Sequence, residues 1–284
     1  MIYLNGKFMP IEEACIPVLD RGFIFGDGVY EVIPVYSRKP FRLENHLHRL
    51  QHSLDGIRLK NPHSETEWRD LFDQVIAKNK ENDQSLYLHI TRGVAKRDHA
   101  FPQVPPTVMI LSNPLLAPSE EFLRNGITAV TAIDNRWIRC DIKSISLLPN
   151  VLLRQLAVDA GAVETIMIRD SFLTEGAASS IFVVKDQVLL APPKSHLILP
   201  GITYEVVLEL AKANNIAYEI REITEEELRN AEEILLTSST KEIMAVTCLD
   251  GQIVGSGKPG AKFAQLHKLY QHYKATTMRG GMAN

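Results

Sequence analysis

Cysteine is scarce: three among 284 residues, at positions 15, 140 and 248. An odd number of thiols set far apart makes neither a disulfide framework nor a paired metal-ligand spacing. A disulfide-stapled scaffold is excluded, no metal site is expected, and a reducing cytoplasm is the expected location. Net charge is nearly absent as well, 31 basic against 34 acidic residues, a formal −3. Without a bulk field, neither nucleic acid nor an anionic membrane is an expected partner, so any bound anion must be met by a local constellation. No apolar run nears the ~18 residues that span a bilayer. The opening MIYLNGKFMP lacks a basic head followed by an apolar core, so no signal peptide is expected. Tandem repeats and low-complexity tracts are missing too. What is present is 45% hydrophobic residues, ordinary for a globular chain, over a length that fits about two domains.

Both halves mix strands and helices. Asn5-Gly6 between apolar residues predicts an opening hairpin, because both tolerate the positive φ of a tight turn. The β-branched and aromatic run 29–36 reads as a strand despite Pro34. Leu43, Leu47, Leu50, Leu54 and Ile57 make one apolar helix face. Ser64 and Glu67 form a capping box for a second helix. Alternation over 85–91 gives a strand, and 107–111 another. Two prolines in the polar-ended stretch 113–121 mark a linker, giving a smaller domain over 1–117 and a larger one over 118–284. In the second, strands are predicted near 126–133, 163–169, 180–184, 187–191, 216–221, 232–237 and 243–248. Helices are predicted near 150–160, 203–214, 224–230 and 258–274, and Met278 to Asn284 is expected to fray. The elements do not alternate βαβα cleanly, so the class is α+β (or α/β) with mixed sheets and flanking helices.

Four local patterns carry chemistry. Lys143 lies in a mainly apolar run at a helix entrance. It reads either as an ordinary surface lysine or as a partly desolvated Schiff-base nucleophile. Glu175 sits between two strands, before small residues that let a ligand approach the backbone or simply make a turn. Gly201-Ile202-Thr203 opens a helix, where free amides plus a hydroxyl suit phosphate. Thr237-Ser-Ser-Thr240 ends a strand, a phosphate wrap or a plain polar turn.

In that order, these motifs resemble the fold-type IV aminotransferases, which use pyridoxal 5'-phosphate. The resemblance runs from GDGVYE at 26–31 through the tail. It implies a two-domain fold with the cofactor at the domain interface. Lys143 would then form the Schiff base with the cofactor and shuttle the Cα proton. Glu175 would face the pyridine nitrogen, and Leu199 would pack on the ring. Arg49 would hold the phosphate with paired donors, joined by Ile202, Thr203, Ser239 and Thr240.

Arg97-x-His99 looks like the α-carboxylate trap of the D-amino acid aminotransferases, and Tyr30 matches the tyrosine that completes it. In the family, the arginine and histidine reach into the neighbouring subunit, which implies a homodimer. The expected substrates are D-amino acids and 2-oxo acids. One departure stands out: the family commonly has hydroxyl residues and then Asn after Glu-Gly, where this chain has Ala177, Ala178 and Ser180. A branched-chain L-aminotransferase and a 4-amino-4-deoxychorismate lyase are rivals within the family. Outside it, Lys143-Ser144 allows a Ser/Lys hydrolase.

Overall fold

The computed structural model describes residues 1–280. They form two compact units, Met1–Leu116 with Ile142–Leu147, and Ala117–Asp141 with the chain from Leu148 onward. The last four residues, within the stretch expected to fray, lie outside the described residues.

The first unit contains β1 (Ile2–Leu4), β2 (Lys7–Met9), α1 (Arg21–Phe25), β3 (Gly28–Tyr36), β4 (Lys39–Pro40), α2 (Leu43–Gly56), α3 (Glu65–Ala77), β5 (Gln84–Thr91) and β6 (Thr107–Pro114). The strands make an antiparallel sheet in the order β2-β1-β6-β5-β3-β4. Asn5 and Gly6 take φ of 47° and 88°, as the opening hairpin requires. Period-two alternation sends Val29, Ile33, Leu86, Leu88 and Ile90 to one face. There they pack with Leu43, Leu47, Leu50 and Leu54 of α2 and with Trp68, Phe72, Val75 and Ile76 of α3. Each such side chain contributes about 1.5–3 kcal/mol by leaving water. The Ser64–Glu67 capping box that starts α3 is present with both bonds. Residues 142–147 lie along the start of β3, with Ser144 bridging Val29 and Ile142 entering the same core.

The second unit contains α4 (Glu120–Asn125), β7 (Ile127–Ile133), α5 (Leu148–Asp159), β8 (Glu164–Arg169), β9 (Phe172–Gly176), β10 (Ser180–Lys185) and β11 (Val188–Ala191). It continues with α6 (Ile202–Ala213), β12 (Tyr218–Ile220), α7 (Glu225–Arg229), β13 (Glu233–Ser238), β14 (Glu242–Leu249), β15 (Gln252–Ile253) and α8 (Ala261–Met278). Its sheet runs β12-β11-β10-β13-β14-β7-β8-β9, with β15 beside β14. Pairing is mixed: β11–β12, β14–β7 and β7–β8 are parallel and the remaining pairs antiparallel. Central strands β10 and β13 are almost wholly buried, and read as continuous apolar runs.

Two local expectations shift. Glu175 is in strand β9, not in a turn; the turn is Asp170-Ser171, both with positive φ. The last helix begins at Ala261, because the Glu233 carboxylate accepts the Lys262 and Phe263 amides of its first turn.

Candidate active site

In the first unit, the site is built where residues 142–147 meet β3 and α2. The Tyr30 amide donates to the Lys143 carbonyl (3.0 Å), and the Lys143 amide donates to Ser53 Oγ of α2 (3.0 Å). The lysine backbone is thus held from two sides. Its half-buried side chain puts Nζ 4.3 Å from the centroid of the Tyr30 ring. The neighbouring Ser144 is buried, and its hydroxyl accepts the Ser146 amide. Tyr30 lies on the sheet face opposite the helices, its ring 5.8 Å from that of Tyr87. Tyr87 Oη is 2.8 Å from His89 Nδ1. Burial, aided by Tyr30, pushes the Tyr87 phenol up to about 12 and keeps it neutral, while burial pushes the His89 imidazole down.

On the helix side of β3, Glu31 is buried under α2. Arg49 grips it with a fork, Nε to Oε1 and Nη2 to Oε2, both 2.8 Å, and His46 Nδ1 is 2.8 Å from Oε2. Burial raises the Glu31 carboxyl, but Arg49 and His46 outweigh it and hold it well below the usual carboxylate range. Burial is also the main reason that the His46 imidazole is pushed down, with Arg49 and Lys143 adding to it. Arg49 is therefore a buried, engaged cation and not a solvated flank residue.

Arg97 and His99 occupy the exposed loop between β5 and β6. The Arg97 guanidinium is 5.2 Å, and the His99 ring 5.4 Å, from the ring of Phe25. The loop is anchored at its base. Arg21 Nη1 donates to the Asp98 carbonyl, and the buried Arg92 guanidinium stacks 3.7 Å from the Phe101 ring. Asp27 braces both Arg21 and Arg92 through its carboxylate.

In the second unit, buried Glu175 faces two donors. Arg136 Nη1 donates to its Oε1, and the Leu199 amide to its Oε2 at 3.2 Å. Burial pushes Glu175 up to about 7, against the pull of Arg136. Arg136 is itself fixed by Asp134, Nε to Oδ1 at 2.9 Å and Nη2 to Oδ2 at 2.8 Å. Arg169 and Thr174 also reach Asp134.

Helix α6 begins at Gly201 with no side chain capping it, so the amides of its first turn are open. Ile202 and Thr203 in that turn are buried. A Cβ at Gly201 would come within 2.6 Å of Ser180 Oγ, so a larger residue there would have to turn that hydroxyl away. Ser180 pairs across the sheet with Thr237, whose Oγ1 is buried and without a hydrogen-bond partner. Ser239 and Thr240 form the turn that follows. The structure thus gathers the α6 start, Ser180 and the hydroxyl run in one unit, with Glu175 and Leu199 bonded to each other beside Arg136. It places Lys143 and Tyr30 together in the other, and puts Arg97 and His99 on an exposed loop. Arg136, Asp134, Glu31 and His46 had no role in the sequence reading, and Thr237 entered it only as the first residue of the hydroxyl run. Only the acidic residue after Tyr30 carried a signal, as part of the GDGVYE motif.

A family profile described as "Amino-transferase class IV" matches residues 28–249. A "D-alanine aminotransferase" of Bacillus licheniformis is 42% identical over 260 residues, 91% of this chain and 92% of that protein. Another, of Staphylococcus aureus (strain MW2), is 38% identical over 274 residues, 96% of this chain and 97% of that one. Among solved structures, a T.th. branched-chain amino acid aminotransferase with pyridoxamine 5'-phosphate is similar with a TM-score of 0.90. Its identity is 26%, over 98% of this chain and 95% of that one. The branched-chain aminotransferase of Escherichia coli gives 0.89 and 28%, over 95% and 93%. Profile and relatives together cover most of the length, and the chain belongs to the class IV amino-transferase family.

Proposed function

We propose that this chain transfers the amino group of a D-amino acid to a 2-oxo acid, of the type D-alanine plus 2-oxoglutarate to pyruvate plus D-glutamate, with pyridoxal 5'-phosphate as cofactor. The observation that carries it is the clamped Lys143, its amine set over the Tyr30 ring. The relatives named D-alanine aminotransferase support the handedness.

The residues present suit the cofactor. A phosphate would satisfy the open α6 amides and the unpartnered Thr237 hydroxyl. When bound, pyridoxal phosphate supplies an aldehyde that takes an amine and a ring that accepts the electrons left at Cα. Lys143 Nζ is the amine that binds it, and later moves the proton at Cα. Glu175 Oε1 and Oε2 hold charge or a proton for the ring nitrogen, and Leu199 packs on the ring. Ile202, Thr203, Ser239 and Thr240 bind the phosphate. The phosphate role expected of Arg49 competes with Glu31, which already takes its Nε and Nη2 donors. Ala177 and Ala178 add no hydroxyl.

Tyr30, with Arg97 and His99, binds the substrate α-carboxylate. The latter two act in the neighbouring copy of a homodimer, which their exposure on an anchored loop supports. No helix among the described residues is long and apolar enough to cross a membrane. Three unpaired cysteines favour a cytoplasmic location.

The branched-chain reading rests on the solved structures. One titration separates the two. The visible band of the purified holoenzyme is followed with D-alanine, L-alanine and L-leucine. A shift with D-alanine alone is the expected result, and a shift with L-leucine alone overturns the D-specific reading. A protein that shows no band after adding pyridoxal phosphate overturns the cofactor as well.

A further inference from the structure

The Ser239–Thr240 turn closes the β13–β14 hairpin over three residues, since Ser238 pairs with Glu242. Such a loop normally ends on a left-handed residue, most easily glycine. Here the left-handed residue is Glu242, the first after the three-residue loop, with φ of 56°. Its buried carboxylate is gripped by the terminal helix: Lys274 Nζ to Oε1 at 2.6 Å and Gln271 Nε2 to Oε2 at 2.6 Å. Lys274 lies on the buried stripe of α8, between Tyr270 and Met278, where an apolar residue would be ordinary.

The turn is tethered on its other side too. Lys241 Nζ reaches Oε2 of the fully buried Glu164 on β8 at 3.3 Å. The same carboxylate accepts Ser179 Oγ at 2.9 Å, in the loop that follows Glu175 and Gly176. Two adjacent residues of opposite charge thus fasten one short turn to two different elements, β8 and α8. Neither ion pair is needed to form a hairpin, and both cost desolvation of a buried carboxylate.

We propose that Lys241 and Glu242 are positioning residues that hold Ser239 and Thr240 in place for the cofactor phosphate, with α8 as the brace. This rests on the reading that Ser239 and Thr240 bind that phosphate. The left-handed Glu242 sets the course of the turn, and the Lys274 and Gln271 bonds keep it there. Lys241 fixes its far side and links it, through Glu164 and Ser179, to the Glu175 loop.

The test titrates the full chain, freed of cofactor, with pyridoxal 5'-phosphate and with pyridoxal, which lacks the phosphate. The ratio of the two dissociation constants isolates phosphate binding from general loosening. Lys241→Met should weaken pyridoxal 5'-phosphate about tenfold, the scale of one charge-assisted bond, and leave pyridoxal unchanged. Glu242→Ala should weaken it similarly. Glu242→Gly, equally uncharged but free to adopt the left-handed backbone, should recover only part of the loss, because it too lacks the bonds to Lys274 and Gln271. Melting temperatures of the cofactor-free variants are read alongside. Ser239→Ala/Thr240→Val is the control for the underlying reading. If the control loses phosphate affinity while Lys241→Met and Glu242→Ala keep the wild-type ratio, the positioning role is refuted and the phosphate reading stands. If the control keeps the wild-type ratio, the phosphate reading fails and takes this inference with it. Equal losses for both ligands, with lower melting temperatures, refute it as mere structural support.

Discussion

Glu175 offers a sharp test, because its environment pulls two ways. Burial pushes the carboxyl from the ordinary 4.5 up to about 7, even with Arg136 against it. The sign follows from proton linkage. Between those values the folded chain keeps a proton that the unfolded chain has lost, so stability falls as pH rises. Each pH unit in that window is worth about 1.4 kcal/mol, so the full penalty above pH 7 is about 3 kcal/mol. The perturbation is Glu175→Gln, which cannot ionise and keeps an acceptor for one of the two donors, Arg136 or Leu199, at a cost that does not vary with pH. Urea unfolding of both cofactor-free proteins from pH 4 to 8 gives the difference at each pH. Every titration they share, including the depressed Glu31, cancels in it. Wild type should lose stability relative to the variant by about 2–3 kcal/mol on going from pH 4 to pH 7.5. A difference that instead grows in favour of wild type with pH would mean that Arg136 dominates burial, and would refute the argument.

Lys143→Ala should abolish turnover and the visible band of the bound cofactor. The cofactor-free melting temperature should stay within a few degrees, because the backbone bonds to Tyr30 and Ser53 remain; persistent turnover would place the amine elsewhere. Arg49→Met leaves the Glu31 carboxylate buried without its fork, so urea unfolding should show a loss of about 3–5 kcal/mol. A second substitution, Glu31→Gln, should restore part of that loss, and a cost below about 1 kcal/mol would refute the pairing. Arg97→Ala should raise KM for D-alanine by about tenfold to a hundredfold while thermal stability is unchanged, since Arg97 is exposed; an unchanged KM removes it from the carboxylate trap.

Hairpin turns mark where sequence reading stops within the fold. Asn5-Gly6 is legible because the residue types demand the turn. The same left-handed pair occurs at Ser37-Arg38, Asp170-Ser171 and Asp186-Gln187, where no glycine announces it. At those places the paired strands impose the conformation, and this is how β9 around Glu175 passed for a turn. Helix α2 was readable from its leucine spacing, and α3 from its capping box, since both signals lie within a few residues.

The sequence by itself determined the two mixed halves, the order of Lys143, Glu175, Ile202-Thr203 and Ser239-Thr240, and so the family. These are short patterns written in neighbouring residues. Only the tertiary structure decided that residues 142–147 join the first unit beside β3 and α2. It alone matched Arg136 with Glu175, 39 residues apart, placed Thr237 without a partner beside Ser180, and tethered Lys241 and Glu242 to Glu164 and Lys274. Such pairings depend on strand register and helix docking, which bring distant side chains within about 3 Å of each other. No local periodicity encodes that distance.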